Sequence, residues 1–441
     1  MMVYGAADNN ADGPILDFLD DIRIALDDDP GMELLLFIDR SSQYSDDAEF
    51  LGENFSGARV FRIRKDSAEL LNADEFFPGM SKNSEYEVDS ADPANIAGFV
   101  AFGKMNFPAQ KYGLMIYSHA NGISMCPDDQ SGNNMGIAQL SDEVPATASV
   151  DFLALELCNM AGVEIAYQWR PGNGGFSADV LVAIPNAGPP LDWDRAFARI
   201  RTPGHAASSS SALFDPAKLS PAQFGKLVVD EGYQGRLQLA QRDADPEYGD
   251  LAELLKLESA AAFDLTKVAA LKQAIDVFAQ QLALCDSKQV MEDLRGPVTD
   301  PKIMNYTGAG FRDNPYADLY DICRRATQAD GLSTEVRKAA QAICDQMSGF
   351  VISSFGMQGH KDFLPGLNGI YMLFPDTEQW RDMRWYTPFE AAAEGDPYGR
   401  WSFLLDGAIA DDGIVNNWFE LLDSWHDDTS EDPGGINWYL W

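Results

Sequence analysis

The run VDFLALELC, residues 150–158, is apolar almost throughout and ends on a cysteine; the residues after it, NMAGVEIAYQWR (159–170), carry helical spacing. A continuous apolar run of strand length belongs to a strand buried on both faces. Such strands sit in parallel sheets covered by helices, so this one segment points to a βα unit. Its neighbours repeat the pattern. KYGLMIYSHANG (111–122) reads as strand then loop, and ADVLVAIPNAGPP (178–190) does the same. MELLLFIDR (32–40) is another apolar run, MMVYGAA (1–7) a short one, and RVFRIRK (59–65) a weaker strand. GPILDFLDDIRIALDDD (13–29) repeats apolar residues at helical intervals, and ADPANIAGFVAFGKMNFP (91–108) predicts a helix from Asp92 or Pro93. The first two hundred residues therefore predict an α/β protein with a mostly parallel sheet. Its sites are expected at the carboxyl ends of the strands.

Further on, GHAASSSSA (204–212) reads as a flexible loop, and 214–356 as largely helical, including LAELLKLESAAAFDLTKVAALKQAIDVFAQQLALC (251–285). From NGIYMLFP (368–375) the chain returns to strand and then to an acidic tail rich in tryptophan. Trp418, Trp425, Trp438 and Trp441 are expected to pack that tail on the body. The expected division is a core at 1–203, a mainly helical region at 204–356, and a subdomain at 357–441 that completes the sheet.

The chain has 441 residues, 46% of them hydrophobic, enough for a large core. The net charge of −37 disfavours nucleic acid and anionic membranes as partners and attracts cations. No apolar run reaches transmembrane length, and MMVYGAADNN lacks the basic-then-apolar pattern of a signal peptide. The five cysteines, Cys126, Cys158, Cys285, Cys323 and Cys344, fit neither a zinc pattern nor a disulfide scaffold.

Two polar residues follow successive strands: His119 and Cys158. If those strands are neighbours, an imidazole and a thiol share one sheet edge and can act as general acid/base and nucleophile. A helix beginning near Asn159 would turn its positive end toward Cys158 and favour the thiolate. Backbone N–H groups at Cys158 and at Ala120, Asn121 and Gly122 are candidates to hold an oxyanion. A buried free cysteine is also ordinary core filler, so the pattern leaves both readings open.

The sequence resembles the clostripain family of cysteine peptidases, in the fold group of caspases, gingipains and legumain. VYGAADNNAD (3–12), LLLFIDRS (34–41), MIYSHANG (115–122), LALELCNMAGVEIAYQWR (153–170), NGIYMLFP (368–375) and NNWFELLDSW (416–425) carry the resemblance in order. It implies a caspase-like three-layer α/β/α sandwich with a helical insertion and a C-terminal subdomain. It also implies an endopeptidase with Cys158 as nucleophile and His119 as acid/base, peptide or protein substrates, no organic cofactor, and export from the cell. Some family members depend on calcium.

This chain departs from the family pattern at three places. Ala120 stands where glycine is usual, and would be strained if the position needs positive φ. Glu156-Leu157-Cys158 replaces Asp-Ala-Cys, with Leu157 expected in the core. Asn186 aligns with an Asp of the pocket that accepts a basic P1 side chain. Glu156 and Asn186, with the turn Asp8-Asn9-Asn10, remain the expected lining, and P1 is either basic or an altered polar or neutral residue. Asp192 and Asp194 lie nearby in sequence. Between His119 and Cys158 there is no Lys or Arg, so an enzyme of basic preference would stay uncut there. The same departures permit a rival reading, a catalytically silent scaffold on this fold.

The remaining candidates have plainer readings. Cys126 is expected as a partly exposed bystander, and Cys285, Cys323 and Cys344 as core. Asp128 and Asp129, in DDQSGNN (128–134), could serve calcium, although solvated acids are the simpler reading; DADPEYGD (243–250) and HDDTSEDPGG (426–435) are read likewise. His205, His360 and His426 lack metal-ligand spacing, so no metal is assigned. GNGG (172–175) reads as a turn, not a phosphate loop.

Overall fold

In the computed structural model, the described residues are 1–441 apart from 42, 45–50, 53–54, 84, 203–212, 241–254, 298, 307–314, 383–400, 409–412 and 427–441. The strands in chain order are β1 Met2–Ala7, β2 Leu34–Arg40, β3 Gly57–Arg64, β4 Ser67–Leu70, β5 Gly113–Tyr117, β6 Ser124–Met125 and β7 Met135–Gly136. They continue as β8 Val150–Glu156, β9 Ala178–Ala183, β10 Ser259–Asp264, β11 Tyr316–Asp318, β12 Val351–Gly356 and β13 Tyr371–Leu373.

Nine strands form one sheet in the order β12-β10-β9-β8-β5-β1-β2-β3-β4. From β9 to β2 every pairing is parallel. Antiparallel strands extend both edges. Alternate residues of the central strands face opposite layers, as strand geometry requires. Leu153 and Leu155 join Tyr4, Phe37 and the helix Pro93–Asn106 on one face. Phe152 and Ala154 join Val3, Leu36 and the helices Asp12–Ala25 and Pro221–Ala240 on the other. The result is the three-layer α/β/α sandwich expected. The helix Pro93–Asn106 starts where expected, and the Asp92 carboxylate caps it, accepting from the Ala94 N–H at 2.8 Å.

Two expectations are corrected. SAAAFD, read as helix, is β10, between β9 and β12. Its alanines suit close packing: a Cβ added to Gly225 on the helix Pro221–Ala240 would lie 3.2 Å from the Ala262 methyl. Sheet pairing and that approach override alanine's helical preference. NGIYMLFP does return to strand as β13, but β13 pairs with β11 outside the large sheet. Trp418 packs as expected, stacking on Phe278 with centroids 6.2 Å apart and donating to the Leu373 carbonyl at 2.9 Å. Trp438, Trp441, His205, GHAASSSSA and DADPEYGD lie outside the described residues, as does HDDTSEDPGG beyond His426.

β1 leads to β2 on one side, while β5 leads to β8 and β9 on the other, so the chain order reverses at the β1/β5 boundary. Ligand sites of open α/β sheets form outside the carboxyl ends of strands at such a reversal. Asp8, His119 and Cys158 follow the ends of β1, β5 and β8.

Candidate active site

β5 and β8 are parallel neighbours, with Tyr117 paired to Glu156. His119 and Cys158 each come two residues later, so they leave one edge side by side. The loops behind them touch. A Cβ added to Gly122 would lie 3.0 Å from the Asn159 carbonyl oxygen and 2.5 Å from the Tyr316 hydroxyl. Gly122 also has φ of +88°, so both space and backbone conformation require glycine.

Two stacked tyrosines hold this junction. Tyr316 and Tyr371 lie with centroids 4.2 Å apart. The Tyr316 hydroxyl donates to the Asn121 carbonyl at 2.9 Å and the Tyr371 hydroxyl to the Asn159 carbonyl at 2.6 Å. One pair of rings thus fixes the loop after His119 and the loop after Cys158. Nothing in the sequence marks Tyr316, which lies 195 residues from the loop it holds and outside every motif named above.

Cys158 is partly exposed, and the Gly188 N–H donates to its sulfur. Burial pushes its thiol up from the ordinary range and the Glu156 charge adds to this, against the lowering effect of Gly188. The expected helix dipole at Asn159 is absent: the helix begins at Val163. Asn159 instead adopts φ of +58°, and its N–H donates to the Asn186 carbonyl at 3.0 Å. The Met160 and Ala161 N–H groups both donate to the Ile184 carbonyl. The chain reverses sharply after Cys158 and is stitched to the end of β9 before the helix starts. Leu157 is buried in the core as expected.

His119 is exposed, and its Nε2 lies 2.6 Å from Asn10 Oδ1. With the amide oxygen as acceptor, Nε2 carries the proton and Nδ1 is left with a lone pair. The His119 carbonyl accepts from the Cys126 N–H at 3.0 Å. Cys126 is fully buried with φ of +53°, not the exposed bystander expected; burial pushes its thiol far up. Ala120 has no positive φ, so alanine there is unstrained. The Asn121 N–H donates to the Ser124 carbonyl at 3.2 Å and its side chain accepts from Ile123 and Ser124, which removes Asn121 from the oxyanion candidates. The N–H groups of Ala120 and Gly122 make no hydrogen bond among the described residues.

The expected P1 lining is placed differently. Glu156 is buried and accepts from Leu191 N–H at 2.9 Å and Trp193 Nε1–H at 2.6 Å. Asn186 is 2% exposed, and its Oδ1 accepts from the Ser259 N–H and hydroxyl. Both side chains knit the loop after β9 to β8 and β10. Asn9 is a structural residue too: buried, it donates to the Pro127 carbonyl at 2.7 Å and the Ala6 carbonyl at 3.1 Å. Asn10 meets His119, and Asp8 is buried beside Glu87 and Asp128.

An acid that sequence reading missed stands behind the Cys158 loop. Glu258 is 4% exposed; its Oε2 pairs with Arg236, while its Oε1 has no hydrogen-bond partner. Burial pushes this carboxyl up to about 7, against the lowering effect of Arg236. Oε1 abuts Gly188, where an added Cβ would lie 2.7 Å from it. Arg236 also binds Asp192 at 2.7 Å and the Pro189 and Pro190 carbonyls. Glu258 precedes a segment that reads as helix, so nothing in the sequence placed it at the sheet edge.

Comparison with known proteins agrees with this architecture. The clostripain family profile matches residues 3–425. Clostripain of Hathewaya histolytica is 32% identical over an alignment covering 100% of this chain and 89% of that protein. In fold, the chain resembles a secreted C11 cysteine protease of Bacteroides thetaiotaomicron solved with an irreversible peptide inhibitor. That pair has a TM-score of 0.55 and 16% identity, covering 91% of this chain and 96% of the other. An inactive zymogen C11 protease of Parabacteroides distasonis gives a TM-score of 0.53 at 17% identity, covering 87% of this chain and 96% of that one. Matched along nearly its whole length, the chain belongs to the clostripain family and is a cysteine-type peptidase acting on peptide or protein substrates.

Proposed function

We propose that the chain is an endopeptidase in which Cys158 and His119 work as a dyad. The carrying observation is that parallel neighbours β5 and β8 deliver these two residues to one edge, where Asn10 holds the imidazole by Nε2. His119 Nδ1 takes the thiol proton as Cys158 Sγ bonds to the scissile carbonyl carbon. The carbonyl oxygen gains the negative charge and is met by the Ala120 and Gly122 N–H groups. The C–N bond then breaks, and His119 gives its proton to the departing amine. Water, losing a proton to His119, attacks the thioester and releases the acid and the thiol.

The P1 side chain is proposed to be basic. Glu156, Asp192 and Glu258 surround the loop after β9, and Arg236 pairs with Asp192 and Glu258 there. Glu258 Oε1 supplies the acid that Asn186 does not. Export is proposed from kinship with proteins described as secreted. No helix among the described residues is long and apolar enough to cross a membrane.

Hydrolysis of a fluorogenic peptide library varied at P1 tests the reading. Turnover is expected to vanish in Cys158→Ala and His119→Ala, and arginyl selectivity to drop about tenfold in Glu258→Gln. Full turnover in His119→Ala refutes the dyad; unchanged selectivity in Glu258→Gln refutes its role at P1.

A further inference from the structure

His360 is a buried histidine with no part in the dyad. It lies in the turn after β12. Because β12 runs antiparallel to β10, and β10 antiparallel to β9, that turn reaches the active edge beside the segment entering β10. The segment is 256–258, and it carries Glu258.

Three hydrogen bonds fasten the two stretches together. The Met357 N–H donates to the Glu258 carbonyl at 2.8 Å, and the Gly359 N–H to the Lys256 carbonyl at 2.7 Å. His360 Nε2 meets the Leu257 carbonyl at 2.5 Å. A carbonyl only accepts, so Nε2 carries the proton. The fit is close. A Cβ added to Gly359 would lie 2.6 Å from the Lys256 carbonyl oxygen and 2.7 Å from Leu257 Cδ2.

The ring is also held from behind. Its centroid lies 5.3 Å from that of Tyr306 and 6.3 Å from that of Phe363. Tyr306 is itself fixed: its hydroxyl donates to Asp318 Oδ2 at 2.5 Å and accepts from the Gly369 N–H at 2.9 Å. Asp318 ends β11, the strand that begins with Tyr316. Burial lowers the pKa of His360, against the raising effect of the Leu257 carbonyl, so at neutral pH the ring adds no cation beside Glu258.

We propose that His360 is a positioning residue for P1 specificity, holding 256–258 so that Glu258 Oε1 stays against Gly188. The inference rests on the reading of Glu258 as the P1 acid. Charge-assisted pairing of a carboxylate with a guanidinium depends on geometry, and Arg236 already occupies Oε2. Release of the backbone behind Glu258 lets Oε1 drift from the place a P1 arginine would meet it. The loss falls on binding of the basic side chain, not on the chemistry at Cys158.

The test compares kcat/KM of the full chain on two peptides that differ only in arginine or glutamine at P1. His360→Phe keeps a ring against Tyr306 and removes the donor. It is expected to lower the arginine-to-glutamine ratio about fivefold, through KM, with kcat on the glutamine peptide held. His360→Gln, whose amide N–H can replace Nε2–H, is expected to restore most of the ratio. Gly359→Ala, which crowds Lys256 and Leu257 and leaves the ring in place, is expected to lower the ratio too, and it decides the matter should His360→Phe not fold. A parent-like ratio in these variants, with the ratio lowered in Glu258→Gln, overturns the role of His360 and leaves the P1 reading standing. A parent-like ratio in Glu258→Gln as well overturns both. A fall in kcat shared equally by the two peptides shows a role in folding alone and overturns the inference.

Discussion

Replacing Asn10 with alanine isolates the support of the His119 imidazole in the proposed dyad. Asn10 is exposed, and of its side chain only the contact with His119 Nε2, at 2.6 Å, reaches the proposed dyad. The cost to folding is therefore small, while the imidazole loses the acceptor that selects its tautomer and fixes its ring. One hydrogen bond of this kind is worth about 1–1.5 kcal/mol, which is about 5–13-fold in rate. The measurement is kcat/KM on the best library peptide beside the thermal midpoint. A drop of roughly tenfold carried by kcat, with the midpoint unmoved, is expected. Asn10→Asp separates orientation from mere presence, because a carboxylate keeps the acceptor and adds a charge. Asn10→Asp is expected to keep most of the parent's kcat, since the acceptor for Nε2–H is retained. Wild-type kcat in Asn10→Ala would refute the claim that Asn10 positions the imidazole.

Three other outcomes follow from the structure and the sequence together. Tyr371→Phe leaves the Asn159 carbonyl without its donor, a loss of about 1–3 kcal/mol, and should lower both the thermal midpoint and kcat; an unchanged kcat would remove the tyrosine pair from the positioning of Cys158. Glu164 is buried with Oε2 unpartnered, and burial pushes its carboxyl from 4.5 to about 7. Its folded pKa is raised, so its contribution is fullest below about 4.5 and fades as pH climbs through about 7, a span of roughly 3 kcal/mol before relaxation. Glu164→Gln should flatten the fall in midpoint between pH 5 and 8, and an unaltered slope would contradict this. Finally, the purified enzyme should run as one chain uncut between His119 and Cys158, where no Lys or Arg occurs; mass spectrometry finding a cut there would argue against basic preference.

Much of the frame was legible because burial on both faces forces continuous apolar runs, and VDFLALE and LMIY are such runs. The edge shared by His119 and Cys158 followed from two strands ending alike. What the sequence hid depends on pairing at long range. SAAAFD has the composition of a helix, and only its neighbours β9 and β12 make it a strand. That strand brings Ser259 to Asn186 and Glu258 to Gly188, contacts that no local pattern in the sequence announces. Asp39 lies within the apolar run MELLLFIDR, and its placement among Glu87, Asp128 and Asp8 exists only in three dimensions. Asn10 was assigned to substrate by its place in the opening turn, whereas β1 lying beside β5 carries it to His119.

The helix after Cys158 shows why the distinction matters for mechanism. A helix beginning at Asn159 would hold the sulfur as a thiolate at rest, and His119 would serve only to protonate the leaving amine. The helix instead starts at Val163, with its first turn separated from Cys158 by the reversal at Asn159. One N–H, from Gly188, faces the sulfur, and burial with the Glu156 charge outweighs it. Burial thus favours the thiol form of Cys158, and in the proposed dyad its proton leaves by way of His119 during attack. Alkylation by a small neutral haloacetamide, read site by site, tests this. The rate at Cys158 should rise with pH through the upper thiol range and fall sharply in His119→Ala at neutral pH. A midpoint below about 7 would mean a resting thiolate of the kind helix termini and cations produce, and the sequential proton transfer argued for His119 would be wrong.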